Sequence, residues 1–128
     1  MKRKIKLLTI TTDKRELRQI QDLHDKYVPD TYLCFKVRKV KEAIKTILEI
    51  NPDIIVIELL NSKIDGIALL EAIKNTDSQA KIFIYSYDDD PDTIDEYKAK
   101  GAYKYYIIPL LIDTYFHDLY VAMNLEWK

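Results

Sequence analysis

Short aliphatic runs alternate along this chain with longer stretches in which apolar residues recur at helical spacing. Ile5 to Thr11 is predicted to be a strand. Lys14 to Tyr27 is predicted to be a helix, with Leu17, Ile20, Leu23 and His24 on one face and Asp13 and Glu16 placed for a capping box. Tyr32 to Val37 is a second strand. Val40, Ile44, Ile47 and Leu48 supply the apolar face of the next helix, which Asn51-Pro52 stops. Asp53 to Leu60 is nearly continuous Ile, Val and Leu, the composition of a central parallel strand covered on both faces. Asp65 caps a helix whose core positions are Ile67, Leu70 and Ile73. Lys81 to Ser86 is the fourth strand. Pro91 fits the first turn of a helix capped from the Asp88-Asp89-Asp90 run, and Gly101 fits its C-terminal stop. Tyr103 to Ile108 and Leu111 to Leu125 complete the pattern as strand and helix.

Five strand-then-helix units in 128 residues imply one domain over 1–128, an open, mostly parallel sheet with helices on both faces. The chain has only two glycines, Gly66 and Gly101, so it has no glycine-rich phosphate loop. That excludes the P-loop and the dinucleotide fingerprint.

Composition narrows the function further. Apolar residues make up 48%, enough for a core, and the net charge of −1 gives no overall pull toward nucleic acid or lipid. Charge is uneven: residues 1–50 carry 13 basic and 7 acidic side chains, residues 51–128 carry 7 and 14. The plain reading of the basic half is a lysine-rich solvated face. Cys34 is the sole cysteine, so no internal disulfide forms, and it sits in an apolar run without a cationic neighbour to activate it. No apolar stretch approaches the roughly 18 residues of a membrane span, and the N-terminus is too short and polar for a signal peptide. A cytoplasmic protein is expected. His24 and His117 have no second ligand at metal spacing, and Asp88-Asp89-Asp90 reads as a solvated run at a helix N-terminus.

Several landmarks fall in order and in register. Pro52-Asp53 opens the third strand, Glu58 ends it, and Asp65-Gly66 follows eight residues after Glu58. Ser86 ends the fourth strand, Gly101-Ala102 precedes the fifth, and Ile108-Pro109 closes it. With these landmarks the whole chain resembles a response-regulator receiver domain of two-component signalling. That resemblance implies a flavodoxin-like (βα)5 three-layer sandwich with a five-stranded parallel sheet. It also implies a site at the carboxyl ends of the strands. There the family places an acidic pair, an acceptor Asp, a Thr or Ser, and a Lys. The acids and the acceptor hold Mg²⁺, while the hydroxyl and the Lys bind the phosphoryl oxygens.

This chain departs from that set. The acceptor place holds Glu58. After the first strand it reads Thr11-Thr12-Asp13, and the strand can be read in two registers one residue apart. Asp13 is therefore the second member of the acidic pair or its next neighbour. Ser86 keeps the hydroxyl; the next place, a small residue in the family, is Tyr87, a phenol expected to crowd the pocket mouth. The Lys place is Ile108, which removes the fixed cation. Asp13 and Glu58 alone make a poor Mg²⁺ site. The expectation is a degenerate pseudo-receiver that accepts no phosphoryl group, needs no cofactor, is not an enzyme and acts by binding a protein.

Glu58 carries two readings. Its longer side chain puts charge near an absent aspartyl phosphate, accepts a hydrogen bond from Ser86 and holds an active-like state. Otherwise it is a carboxylate tolerated at the wet end of a sheet. Tyr105 stands at the family's aromatic switch place. It is read either as part of a partner face with Tyr97, Tyr106 and Tyr115, or as one of several tyrosines packed with wet hydroxyls. The resemblance implies that the last strand and its flanking helices meet a signalling partner or a second copy. The rival readings are a phosphorylatable receiver in a phosphorelay, a small flavodoxin-like ligand binder or enzyme, and a DNA-binding regulator. The last has no strongly basic helix to support it.

Overall fold

The computed structural model describes residues 5–11, 26, 32–59, 65–108 and 112–122. Five strands form one parallel sheet: β1 (Ile5–Ile10), β2 (Tyr32–Val37), β3 (Ile54–Leu59), β4 (Lys81–Ser86) and β5 (Lys104–Ile107), in the order β2-β1-β3-β4-β5. Four described helices connect or follow them: α1 (Val40–Ile50), α2 (Gly66–Lys74), α3 (Pro91–Ala99) and α4 (Ile112–Ala122). The helix expected over Lys14–Tyr27 lies outside the described residues, apart from Lys26.

β3 is central because it is apolar on both faces. Ile54, Ile55, Val56 and Ile57 are all fully buried, and their alternation sends them to two separate cores. Ile55 and Ile57 join Leu8, Ile10, Ile82 and Ile84 beneath α1, α2 and α3. Ile54 and Val56 join Leu7, Phe83 and Tyr85 beneath α4, whose Tyr115, Phe116 and Leu119 close that side. Helices thus cover both faces of the sheet.

The element ends follow local chemistry. Asp65 accepts the Ala68 N–H at 3.1 Å and starts α2, and Asp90 accepts the Thr93 N–H at 3.3 Å ahead of Pro91 and starts α3. Asn51, at φ 49°, ends α1 in the left-handed region before Pro52. Gly101, at φ 112°, leads from α3 into β5 through a conformation costly to any side chain. Two helical positions differ from expectation. Leu48 is 65% exposed, while Ala43 and Ile47 carry the buried face of α1, and Leu69 joins the core from α2. Runs of adjacent aliphatics leave several faces equally apolar, and packing chooses among them.

Candidate functional site

All five strands point the same way, so Thr11, Glu58, Ser86 and Ile108 come together at their carboxyl ends. Thr12 and Asp13 lie outside the described residues. β1 pairs with β3 so that Ile10 meets Ile57, which puts Thr11 one step on, level with Glu58. Thr11 is fully buried and Glu58 only 1% exposed. Glu58 is therefore an interior carboxylate and does not stand at a wet strand end. It projects to the α4 side of the sheet, as Ile54 and Val56 do.

Its cross-strand partner is Tyr85, and Tyr85 is paired in turn with Tyr106. From α4, Tyr115 packs edge-on against both, which also meet each other at 5.7 Å. Its ring centroid lies 5.2 Å from that of Tyr85 and 5.8 Å from that of Tyr106, with interplanar angles of 78° and 87°. Such edge-to-face geometry is the favoured arrangement of aromatic quadrupoles. The Tyr106 hydroxyl donates to Asp118 Oδ2 on α4 at 2.5 Å, tying helix to strand. Burial pushes the Tyr85 phenol well above its ordinary value, with Tyr115, Tyr106 and Glu58 adding to the effect. Burial also pushes Tyr106 up, and its bond to the Asp118 carboxylate adds to this.

Ser86 is paired with Leu59, one residue out of step with Glu58, so the two side chains leave opposite faces of the sheet. The Ser86 hydroxyl accepts the Asp88 N–H at 3.0 Å. The hydrogen bond expected between Ser86 and Glu58 is not formed, because strand alternation separates them. Tyr87 is 57% exposed and stands in solvent, so it does not crowd the pocket as expected. Ile108 donates its N–H to the Ser86 carbonyl at 2.9 Å, and its half-buried side chain packs against the aromatic cluster under α4. An aliphatic group there extends the core on that side.

The four tyrosines Tyr97, Tyr105, Tyr106 and Tyr115 do not share a face. Tyr105 and Tyr106 are successive on β5 and project to opposite sides. Tyr105 packs at a tilt of 50° against Tyr97 of α3, with ring centroids 5.5 Å apart, and donates its hydroxyl to the Asp88 carbonyl at 2.9 Å. Tyr97 is 7% exposed and its phenol is pushed up to about 12 by burial, then by neighbouring Tyr105 and acidic groups. Its hydroxyl rests against Gly66, where a Cβ would collide with it and would lie 2.7 Å from Leu59 Cδ1. That close approach explains the glycine in Asp65-Gly66. Tyr106 and Tyr115 belong to the other core.

Sequence reasoning missed Thr11, Tyr85 and Asp118. The first two were within reach: with β1, β3 and β4 in parallel register, the residues flanking Glu58 follow from alternation. Asp118 needed the docking of α4. Among the described residues no three His, Cys, Asp or Glu side chains are grouped to hold a metal. None of the described helices is long and apolar enough to cross a membrane.

No protein-family model matches the sequence, and no curated protein matches it significantly. Solved structures do. A two-component response regulator from Clostridium difficile superposes with a TM-score of 0.83 at 21% identity, over 94% of this chain and 97% of that one. The receiver domain of Francisella response regulator 1452 gives 0.79 at 24%, over 94% and 97%. The Vibrio cholerae chemotaxis protein CheY4 gives 0.80 at 16%, over 93% and 98%. At these identities the likeness is one of architecture, and it shows that the chain has the flavodoxin-like fold of response-regulator receiver domains.

Proposed function

We propose that this chain is a receiver-like signalling domain that has given up phosphoacceptor chemistry and works by binding a protein. The observation that carries the reading is the burial of Glu58, 1% exposed beside Thr11 and Tyr85. An acceptor carboxylate must be reached in line by a phosphodonor, and the transferred group needs cations around its oxygens. A carboxylate that is 1% exposed is closed to a donor arriving from solvent. Ile108 supports the same reading, since it places a hydrocarbon where a phosphoryl oxygen would need a positive charge. The reading requires no Mg²⁺ and no enzymatic activity, and it places the protein in the cytoplasm.

Glu58 acts in this reading as a fixed part of the fold. A carboxylate carries one negative charge, whereas a phosphoryl group brings about −1.5 to −2 and three oxygens. The signalling output is then set by which surfaces the domain presents, without a phosphorylation step to change them.

The test is incubation with acetyl phosphate and Mg²⁺, followed by intact-mass measurement, with beryllofluoride titration followed by amide spectra in parallel. The expected result is no added phosphoryl mass and no spectral change. Saturable labelling that disappears in Glu58→Ala would overturn the reading in favour of a working phosphorelay receiver.

A further inference from the structure

The two edges of the sheet carry opposite charge. β2 forms one edge, with α1 packed on β1 and β2; β5 forms the other, with α3 beside it. On the first edge Lys36, Arg38, Lys39, Lys41 and Lys45 are all exposed. On the second, Asp88, Asp89, Asp90, Asp92, Asp95 and Glu96 are all exposed, with no basic residue among them.

Because the strands are parallel, both groups begin at the same end of the sheet. The turn into α1 and the loop into α3 each follow a strand's carboxyl end, and both helices then run back down the same face. Charge reverses along each of them. α1 begins among bases and ends with Glu49, whereas α3 begins among acids and ends with Lys98. Exposed apolar groups accompany both edges. Leu48, 65% exposed, lies at the lower end of α1, and Tyr103, 36% exposed, at the lower end of β5. Ile107, 45% exposed, lies at the upper end of β5.

We infer that the chain associates head to tail with further copies of itself, the β2–α1 edge of one copy docking on the α3–β5 edge of the next. The basic start of α1 is complementary to the acidic start of α3, and its acidic end to the basic end of α3. Arg38, Lys39, Lys41 and Lys45 then meet the acids of the neighbouring α3 at the top. Glu49 meets Lys98 at the bottom. Among the described charged residues of α1 and α3, Glu42 alone falls outside the pattern. Exposed ion pairs are individually weak, so association rests on several acting together and fades as salt screens them. The two docking surfaces differ, so each added copy offers a fresh edge, and the assembly ends only if rotation between copies closes a ring. This inference does not depend on the loss of phosphoryl transfer, because Glu58, Ser86 and Ile108 take no part in it.

The test is sedimentation velocity of the full chain over a concentration series at ionic strengths of about 0.01 M and about 1 M, where charges act over about 30 Å and about 3 Å. The expected result is a sedimentation coefficient that rises with concentration at low salt and stays monomeric at high salt. Two charge-reversal variants sharpen it: Arg38→Glu with Lys39→Glu and Lys45→Glu, and Asp89→Lys with Asp92→Lys and Asp95→Lys. All six residues are exposed, and Asp90 is spared because it caps α3. Each variant alone is expected to be monomeric, and an equimolar mixture is expected to associate again, since each then offers the charge the other lacks. A wild-type chain that stays monomeric at low salt overturns the inference, even if it binds an unrelated basic protein. So does a dimer that survives reversal of one edge, or a mixture that fails to associate. Failure here leaves the acetyl phosphate result untouched, so the two readings fall separately.

Discussion

Removing one oxygen atom from Tyr106 tests how the last helix is held against the site. Its hydroxyl donates to the Asp118 carboxylate at 2.5 Å, in a half-buried position between β5 and α4. Hydrogen bonds to a charged partner contribute about 1.5–3 kcal/mol. Asp118 is only half-buried, so in Tyr106→Phe its carboxylate recovers some water and the cost falls to the low end, about 1.5 kcal/mol. For a 128-residue domain that lowers Tm by about 5–6 °C. Asp118→Ala is expected to cost about 1 kcal/mol, because the phenol it leaves is also partly wet. The informative measurement is the double variant in urea unfolding. If the two groups act as a pair, the double variant costs little more than Tyr106→Phe alone, a coupling of about 1 kcal/mol. Single-variant costs that add to within about 0.3–0.5 kcal/mol would refute the reasoning and assign the loss to packing of the ring.

Three further outcomes are expected. Stability should fall in alkali, because the Tyr85, Tyr97 and Tyr106 phenols are all raised in the folded state. Above the ordinary phenol value of about 10 the unfolded chain has released protons that the folded chain keeps. The stabilisation these phenols give is thus whole below pH 10 and is lost as pH rises through Tyr97 at about 12; urea midpoints that stay flat beyond pH 10 would contradict this. Gly66→Ala should destabilise by about 1–3 kcal/mol, since its Cβ meets Tyr97 and Leu59, and pairing it with Tyr97→Phe should recover part of that loss in thermal melts. Glu58→Asp should leave the protein unlabelled by acetyl phosphate, because Ile108 still supplies no cation; labelling of that single variant would show the aliphatic residue not to be limiting.

The order and type of the elements are set by the chain itself. β2 and β4 run over Tyr32–Val37 and Lys81–Ser86 as the pattern predicts, because both runs are rich in β-branched, aliphatic and aromatic residues. Asp65, Asp90, Asn51 and Gly101 mark helix ends through local hydrogen bonds and backbone freedom, which need no tertiary contact to be anticipated. The central place of β3 is legible too, since only a strand covered twice tolerates so unbroken an apolar run.

What the pattern could not fix is which way the site residues face and how much water reaches them. Glu58, ending an apolar strand, suggested a wet carboxylate, yet it lies 1% exposed, level with Thr11 on one side and paired with Tyr85 on the other. Tyr105 and Tyr106, adjacent in sequence, enter two different cores, and only the register of β4 with β5 decides which meets Tyr97 and which meets Tyr115. The opposite charge of the sheet's two edges was visible only as an imbalance between halves of the chain. It becomes a pair of matching surfaces because the strand order carries β2 and β5 to opposite edges, while the parallel direction keeps their following turns at one level. Local chemistry sets where an element begins and ends, whereas burial depends on groups far apart in the chain, and those distances exist only once the sheet has formed.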